Sequence, residues 1–446
     1  MAGNNLFVGG NSLNSTFLGI ISGAGATSTL TKSGSGTLTL SGANTYAGIT
    51  NVVVGALNIQ NAAGLGTSAL GTTVSAGAAL ELQSVAGMAI GAEALTLNGT
   101  GLANGGALRN ISGTNSYNGA IIIGSVTQIN ADLDFLFLYG TISGAGQNLT
   151  FGGAGEVDVY GTITTGTGSL TKIGSATLAL SGNNTYTGVT TVNAGTLQLF
   201  NGEAIANTGA VLVNAPGSLQ VFASETIGSL AGSGSVGLSS AVILTVGGTN
   251  TNTAYSGVIS ELGGIGSLTK IGAGTQTLSG ANTYTGATTI SDGVLQLTGG
   301  AAISDTGAVI VNTPGLLQVF TSETIGSLAG SGNVQLNWAA GNLTLGGANT
   351  STAFSGAISE SGSFGNLIII GTGKQTFSGA NTFTGATTIS AGVLNIQNNT
   401  GLGTTAGGTS VAQFAALELQ GGITIGAEAL TLNGSGVSNG GALRNI

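Results

Sequence analysis

The chain contains neither cysteine nor histidine among its 446 residues. Without cysteine there is no disulfide framework and no thiolate metal site. Without histidine the Ser-His-Asp and Cys-His nucleophile systems, the HExxH zinc site and any imidazole base are excluded. Charge is scarce too: 6 Lys and Arg against 15 Asp and Glu give a net charge of −9. A nucleic-acid binder needs a clustered basic face, which six scattered bases do not supply. Long apolar runs are missing as well. The longest clusters, at 120–123, 367–370 and 135–139, fall well short of the roughly 18–20 residues of a spanning helix. Met1-Ala2-Gly3-Asn4-Asn5 has no basic start and no apolar core behind it, so no signal peptide is read there and no membrane insertion by this segment is expected.

What is abundant is glycine, 84 residues, together with Ser, Thr and Asn. Such a composition can mark disorder, but 41% of residues are apolar, which disordered chains lack. The apolar residues alternate with small polar ones in runs of three to five, as at 276–278, 288–290 and 294–297, with Gly, Asn, Asp and Ser between them. That is strand-turn-strand chemistry without a helical period.

The chain also repeats itself. SGANTYTGAT at 279–288 recurs as SGANTFTGAT at 378–387, with earlier copies SGNNTYTGVT at 181–190 and SGANTYAGIT at 41–50. Repeat units cover about residues 6–59, 149–199, 244–297 and 343–396, and connecting units 60–148, 200–243, 298–342 and 397–446. The connector at 207–234 returns at 305–332, and that at 78–111 returns at 415–446, where the sequence stops inside the unit. A fragment of a longer chain is therefore expected.

Strands this short do not make stable isolated hairpins. Stacked coil on coil, each pairs with its equivalent in the next coil and buries its neighbour's face. The expectation is an all-β chain folded as one continuous β-solenoid, a right-handed parallel β-helix. Coils of roughly 20 residues make about 22 of them, and a step of about 4.8 Å makes an elongated rod on the order of 100 Å. Gly and Asn supply the corners. Pro216-Gly217 and Pro314-Gly315, at equivalent places, are expected to form type II turns.

The segments LTKIGAGT and LSGANTYTG at 268–275 and 278–286 resemble the autotransporter-associated β-strand repeat, as do LTKSGSGTLTLSGANTYAG at 30–48 and LTKIGSATLALSGNNTYTG at 170–188. The fourth copy departs, with NLIII at 366–370 where LTK stands elsewhere, and GALRNISGTNSYNGAI at 106–121 resembles another block of these passengers. The resemblance covers essentially the whole chain. It implies a passenger region displayed at the bacterial cell surface or secreted, built as a β-helix and exported through a C-terminal membrane barrel that this sequence does not contain.

Few residues suggest a site. Tyr46, Tyr186, Tyr284 and Phe383 share a repeat position, as do Tyr255 and Phe354, and Phe222 and Phe320. They form either an exposed row for stacking sugar rings or an internal ladder. Lys32, Lys172 and Lys270, and the pairs Glu225/Glu323, Glu81/Glu418, Glu93/Glu428 and Arg109/Arg444, also recur. They are read as solvated turn residues or neighbour-coil pairs worth little each. Asp132 and Asp134, and Glu156 and Asp158, do not recur, and each pair shares one face of a strand. Such carboxylates could hold calcium or perform acid/base work on an acidic polysaccharide, or simply form an exposed face with the 135–139 patch packed behind. GGAGEV at 152–157 resembles a calcium nonapeptide but has Val157 where Asp is needed.

The leading expectation is an extracellular structural or adhesive passenger segment that is not an enzyme, with no catalytic residue, cofactor or metal. Its partners would be a host-cell, matrix or glycan surface. The alternatives are a polysaccharide-active enzyme using Asp132, Asp134, Glu156 and Asp158, and a filament subunit that self-associates end to end.

Overall fold

In strand after strand every second side chain is buried, as in Leu30 and Lys32 of Thr29–Lys32 or Leu197 and Leu199 of Thr196–Leu199. The computed structural model describes residues 5–23, 28–337, 341–362 and 364–446. The first four residues, read above for a leader, and residues 24–27 of the first repeat unit lie outside them. The chain forms two compact units, Met1–Glu225 and Thr226–Ile446. Each is a β-solenoid of parallel strands, and no helix among the described residues is long and apolar enough to cross a membrane.

In the first unit one column stacks Met88–Ile90, Asn115–Tyr117, Phe135–Leu138, Glu156–Val159, Thr177–Leu180, Thr196–Leu199 and Ser218–Val221. A second runs through Leu149–Gly153, Leu170–Lys172, Thr190–Val192 and Ala210–Val213. In the second unit the partners Leu268, Thr288 and Val309 are 20 and 21 residues apart, one coil per step. Repeat and connector strands enter the same columns, since Val294–Leu297 of a repeat pairs with Leu316–Val319 of a connector. Inward ladders such as Leu178, Leu197 and Leu219, all fully buried, make the core. Each such side chain contributes roughly 1.5–3 kcal/mol.

The Ser-Gly step of each repeat has a steric cause. A Cβ on Gly280 would sit 1.9 Å from the Gly257 carbonyl oxygen of the preceding coil, so only glycine lets the backbones approach. The proline turns differ from expectation. Both Ala215-Pro216 and Thr313-Pro314 are cis peptides, Gly217 and Gly315 do not have positive φ, and the Gly217 and Gly315 N–H groups donate to the Asn214 and Asn312 carbonyls at 2.6 Å. Proline at the third position in cis makes these type VI turns rather than type II.

Candidate functional site

The repeated residues face inward and join coils. Asn282 accepts the Ile259 N–H on Oδ1 and donates from Nδ2 to the Ala302 carbonyl, both at 2.7 Å. One side chain thus bridges three successive coils. Asn44, Asn184 and Asn381 do the same in their own copies. Tyr46, Tyr186, Tyr284 and Phe383 are fully buried, as are Tyr255 and Phe354, so these rings belong to the core and form no exposed row. The Tyr284 hydroxyl lies 2.7 Å from Thr288 Oγ1, and the two earlier tyrosines pair likewise with Thr50 and Thr190.

The recurring charges are not solvated turn residues. Lys32, Lys172 and Lys270 are 1–2% exposed, and each ammonium donates to three carbonyls at a corner. For Lys270 these are Ile271 and Gly272 of its own turn and Asp292 of the next coil. Burial lowers all three pKa values, that of Lys172 to about 8. Glu225 and Glu323 are buried too, with Oε1 accepting the Ile205 and Ile303 N–H groups. Burial raises both, and Glu93, to about 7. The charges fill places where buried backbone groups lack partners, which outweighs the usual preference of Lys and Glu for water. Neighbour-coil pairing does hold for Arg109 with Glu81 and Asp132, and for Glu418 with Arg444, while Lys374 reaches Glu418 across two coil steps.

The structure separates the four unrepeated carboxylates. Asp132 accepts from Arg109 of the preceding coil on a single oxygen, Oδ2, at 2.6 Å from Nη2 and 2.7 Å from Nε. Asp134 sits at a corner with φ +56° and accepts the Gly113 N–H at 2.7 Å. Asp132 is thus held in a cross-coil ion pair and Asp134 by a turn N–H. Glu156 and Asp158 lie one coil further on, facing outward beside Phe135 and Phe137. Burial raises both carboxyls. The charge of Asp158 and a hydrogen bond with it raise Glu156 further, while bonds from Glu156 and Tyr160 partly lower Asp158. Asp158 Oδ1 is buried without a hydrogen-bond partner. Among the described residues no three His, Cys, Asp or Glu side chains are grouped to hold a metal ion.

The same outward face carries a feature the sequence reading missed. Tyr139, Tyr160, Ser181, Phe200 and Phe222 each follow a strand of one column, and their register follows from Leu138, Val159, Leu180, Leu199 and Val221. The aromatic four are 51, 46, 47 and 36% exposed. Tyr139 stacks on Tyr160 with centroids 5.0 Å apart and planes at 9°, and Phe200 on Phe222 at 4.7 Å and 7°. Phe135 and Phe137 extend the patch sideways. These side chains therefore project from the surface and do not pack behind it. In the second unit the repeat-equivalent positions, on a different sheet, read Ser279, Thr298 and Phe320 after Ser256 of the preceding coil, with a single aromatic residue. The signal was present as aromatic residues spaced by one or two coil lengths (139, 160, 200, 222), but only Phe222 stands at a position the repeats share.

The Passenger-associated-transport-repeat family matches the chain at residues 30–59, 170–199, 268–297 and 367–396. The Adhesin BmaC autotransporter of Brucella suis biovar 1 (strain 1330) is similar, at 32% identity over 203 residues that cover 40% of this chain. The match spans 6% of that protein's length. No solved structure matches the chain. The bridging Asn, the buried Tyr and the corner Lys all fall at or within the matched segments. The chain is thus a β-solenoid that carries four copies of the passenger-associated-transport repeat.

Proposed function

We propose that the chain is a segment of an autotransporter passenger, held outside the bacterial cell, that acts as an adhesive stalk and not as an enzyme. The observation that carries this reading is the division of labour between its two faces. Residues repeated from copy to copy turn inward and fasten coil to coil, as a load-bearing stack requires. The large outward apolar surface of the first unit sits, Phe222 apart, at unrepeated positions, and exposed aromatic patches mark interaction sites. Likeness to an adhesin supports the same role. With Asp132 paired to Arg109 and Asp134 bound to a turn N–H, Glu156 and Asp158 are assigned to binding rather than to bond cleavage.

The test is adhesion of beads coated with the protein to host cells and to extracellular matrix, beside a reducing-end assay on a polysaccharide panel. Bead attachment without new reducing ends is the expected result. Turnover of a polysaccharide that is lost in Glu156→Gln and Asp158→Asn would overturn the assignment.

A further inference from the structure

Between the two stacked aromatic pairs the column is interrupted by one coil, Thr177–Leu180, whose outward residues are small. Ala179 is buried to 5% exposure and Ser181 is half-buried. On one side stand Asp158 and Tyr160, on the other Gln198 and Phe200. The coil forms the floor of a trough across the sheet face. We propose that this trough is a binding site for one hexopyranose ring of a neutral glycan; the proposal rests on the adhesive reading above and names its ligand class.

Width is the first argument. Tyr160 and Phe200 are two coils apart, about 9.6 Å at the usual strand spacing. Their rings are each stacked with the neighbouring ring along the column, so their remaining faces look at one another across the gap. Carbon contacts of about 3.5–4.0 Å on each side leave about 1.6–2.6 Å of that gap for the guest's own thickness, which a chair with an axial substituent fills. A flat aromatic guest needs only about 7–8 Å by the same contacts and would sit loosely.

The polar groups are the second argument. Hydroxyls at the ring edge need fixed acceptors and donors at the floor of an otherwise apolar slot. Asp158 stands half-buried at the edge of the floor and places its carboxylate beside the slot. The Gln198 side chain donates to Gln220 at 2.9 Å, a bond that leaves its carbonyl oxygen free for a sugar hydroxyl. Charge sets the class. Glu156 and Asp158 beside the trough, on a chain of net charge −9, repel uronic and sialic acids and leave neutral sugars favoured.

Calorimetric titration and saturation-transfer NMR of the whole chain with cellohexaose, laminarihexaose and mannohexaose test this, with hexagalacturonate as the acidic arm. At least one neutral hexaose is expected to bind, and hexagalacturonate about tenfold more weakly or not at all. Ser181→Phe completes the aromatic stack and fills the trough, so binding should fall about tenfold or more while the unfolding midpoint holds or rises. Tyr160→Ala and Phe200→Ala should weaken binding similarly. Ser279→Phe, at the corresponding place in the second unit, should leave it unchanged. The proposal is overturned if no neutral hexaose binds at millimolar concentration, if Ser181→Phe binds as wild type does, or if hexagalacturonate binds as tightly. Bead adhesion run in parallel separates the two readings. Wild-type beads that adhere without hexaose binding sink the trough alone, whereas beads that do not adhere sink the adhesive reading.

Discussion

Phe383 makes the chain its own control for the buried tyrosines. In three copies a fully buried tyrosine hydroxyl lies 2.6–2.7 Å from a buried threonine. In the fourth, Phe383 leaves Thr387 Oγ1 buried with no partner. Tyr284→Phe recreates that state at Thr288. It removes one buried hydrogen bond and orphans its partner, a cost of about 1–3 kcal/mol. Replacing both polar partners by apolar groups of like shape is nearly neutral, so the double variant Tyr284→Phe/Thr288→Val should cost about 1 kcal/mol or less. The double-mutant cycle should therefore return a coupling of about 1–2 kcal/mol. Conversely, Phe383→Tyr should stabilise the fourth copy by about 1 kcal/mol. Urea unfolding gives the global values. Stacked repeats need not unfold as one, so amide exchange across 259–311 gives the local ones. A Tyr284→Phe cost under about 0.3 kcal/mol, with strict additivity in the cycle, would refute the reasoning.

Three further outcomes follow from the cross-coil contacts. Asn282→Ala strips partners from the Ile259 N–H and the Ala302 carbonyl and should cost about 2–4 kcal/mol in urea unfolding, against under about 0.5 for an Asn118→Ala control at an exposed position. Lys270→Met keeps the length of the side chain but orphans carbonyls at a buried corner, with an expected loss of about 1–3 kcal/mol and faster amide exchange at 288–292. The buried Glu93, Glu225 and Glu323 have pKa values raised by burial from 4.5 to about 7. A raised carboxyl pKa contributes stability that is fully present below about pH 4.5 and lost as pH climbs through about 7. The unfolding midpoint should then be higher at pH 5 than at pH 7, a window below that in which Lys172 titrates at about 8. Glu323→Gln should flatten part of the slope, and an unchanged slope would contradict the assignment.

The architecture was legible because its causes are local and recur. Alternation of Leu and Thr in LTLSG marks the strands, and a typical solenoid coil of roughly 20 residues agrees with the 20- and 21-residue steps of the structure. Two things were not legible. Composition argues for solvated lysines, yet Lys270 is buried because three carbonyls meet at its corner, a coincidence only stacking creates. The trough joins residues 158, 160, 179, 181, 198 and 200, which lie on three successive coils and at positions that repeat alignment treats as noise. Repetition reveals what holds the stack together and hides what is unique to one face.

On the proposed function, inward repeated residues carry stability and the outward aromatics of the first unit carry adhesion. Measuring both properties on Asn184→Ala and on Tyr160→Ala/Phe200→Ala tests it most directly. The first should lower stability by about 2–4 kcal/mol, with adhesion of the folded fraction retained. The second should stay within about 1 kcal/mol of wild type and lose bead attachment. Full attachment by the aromatic double variant, or destabilisation equal to that of Asn184→Ala, would contradict the account.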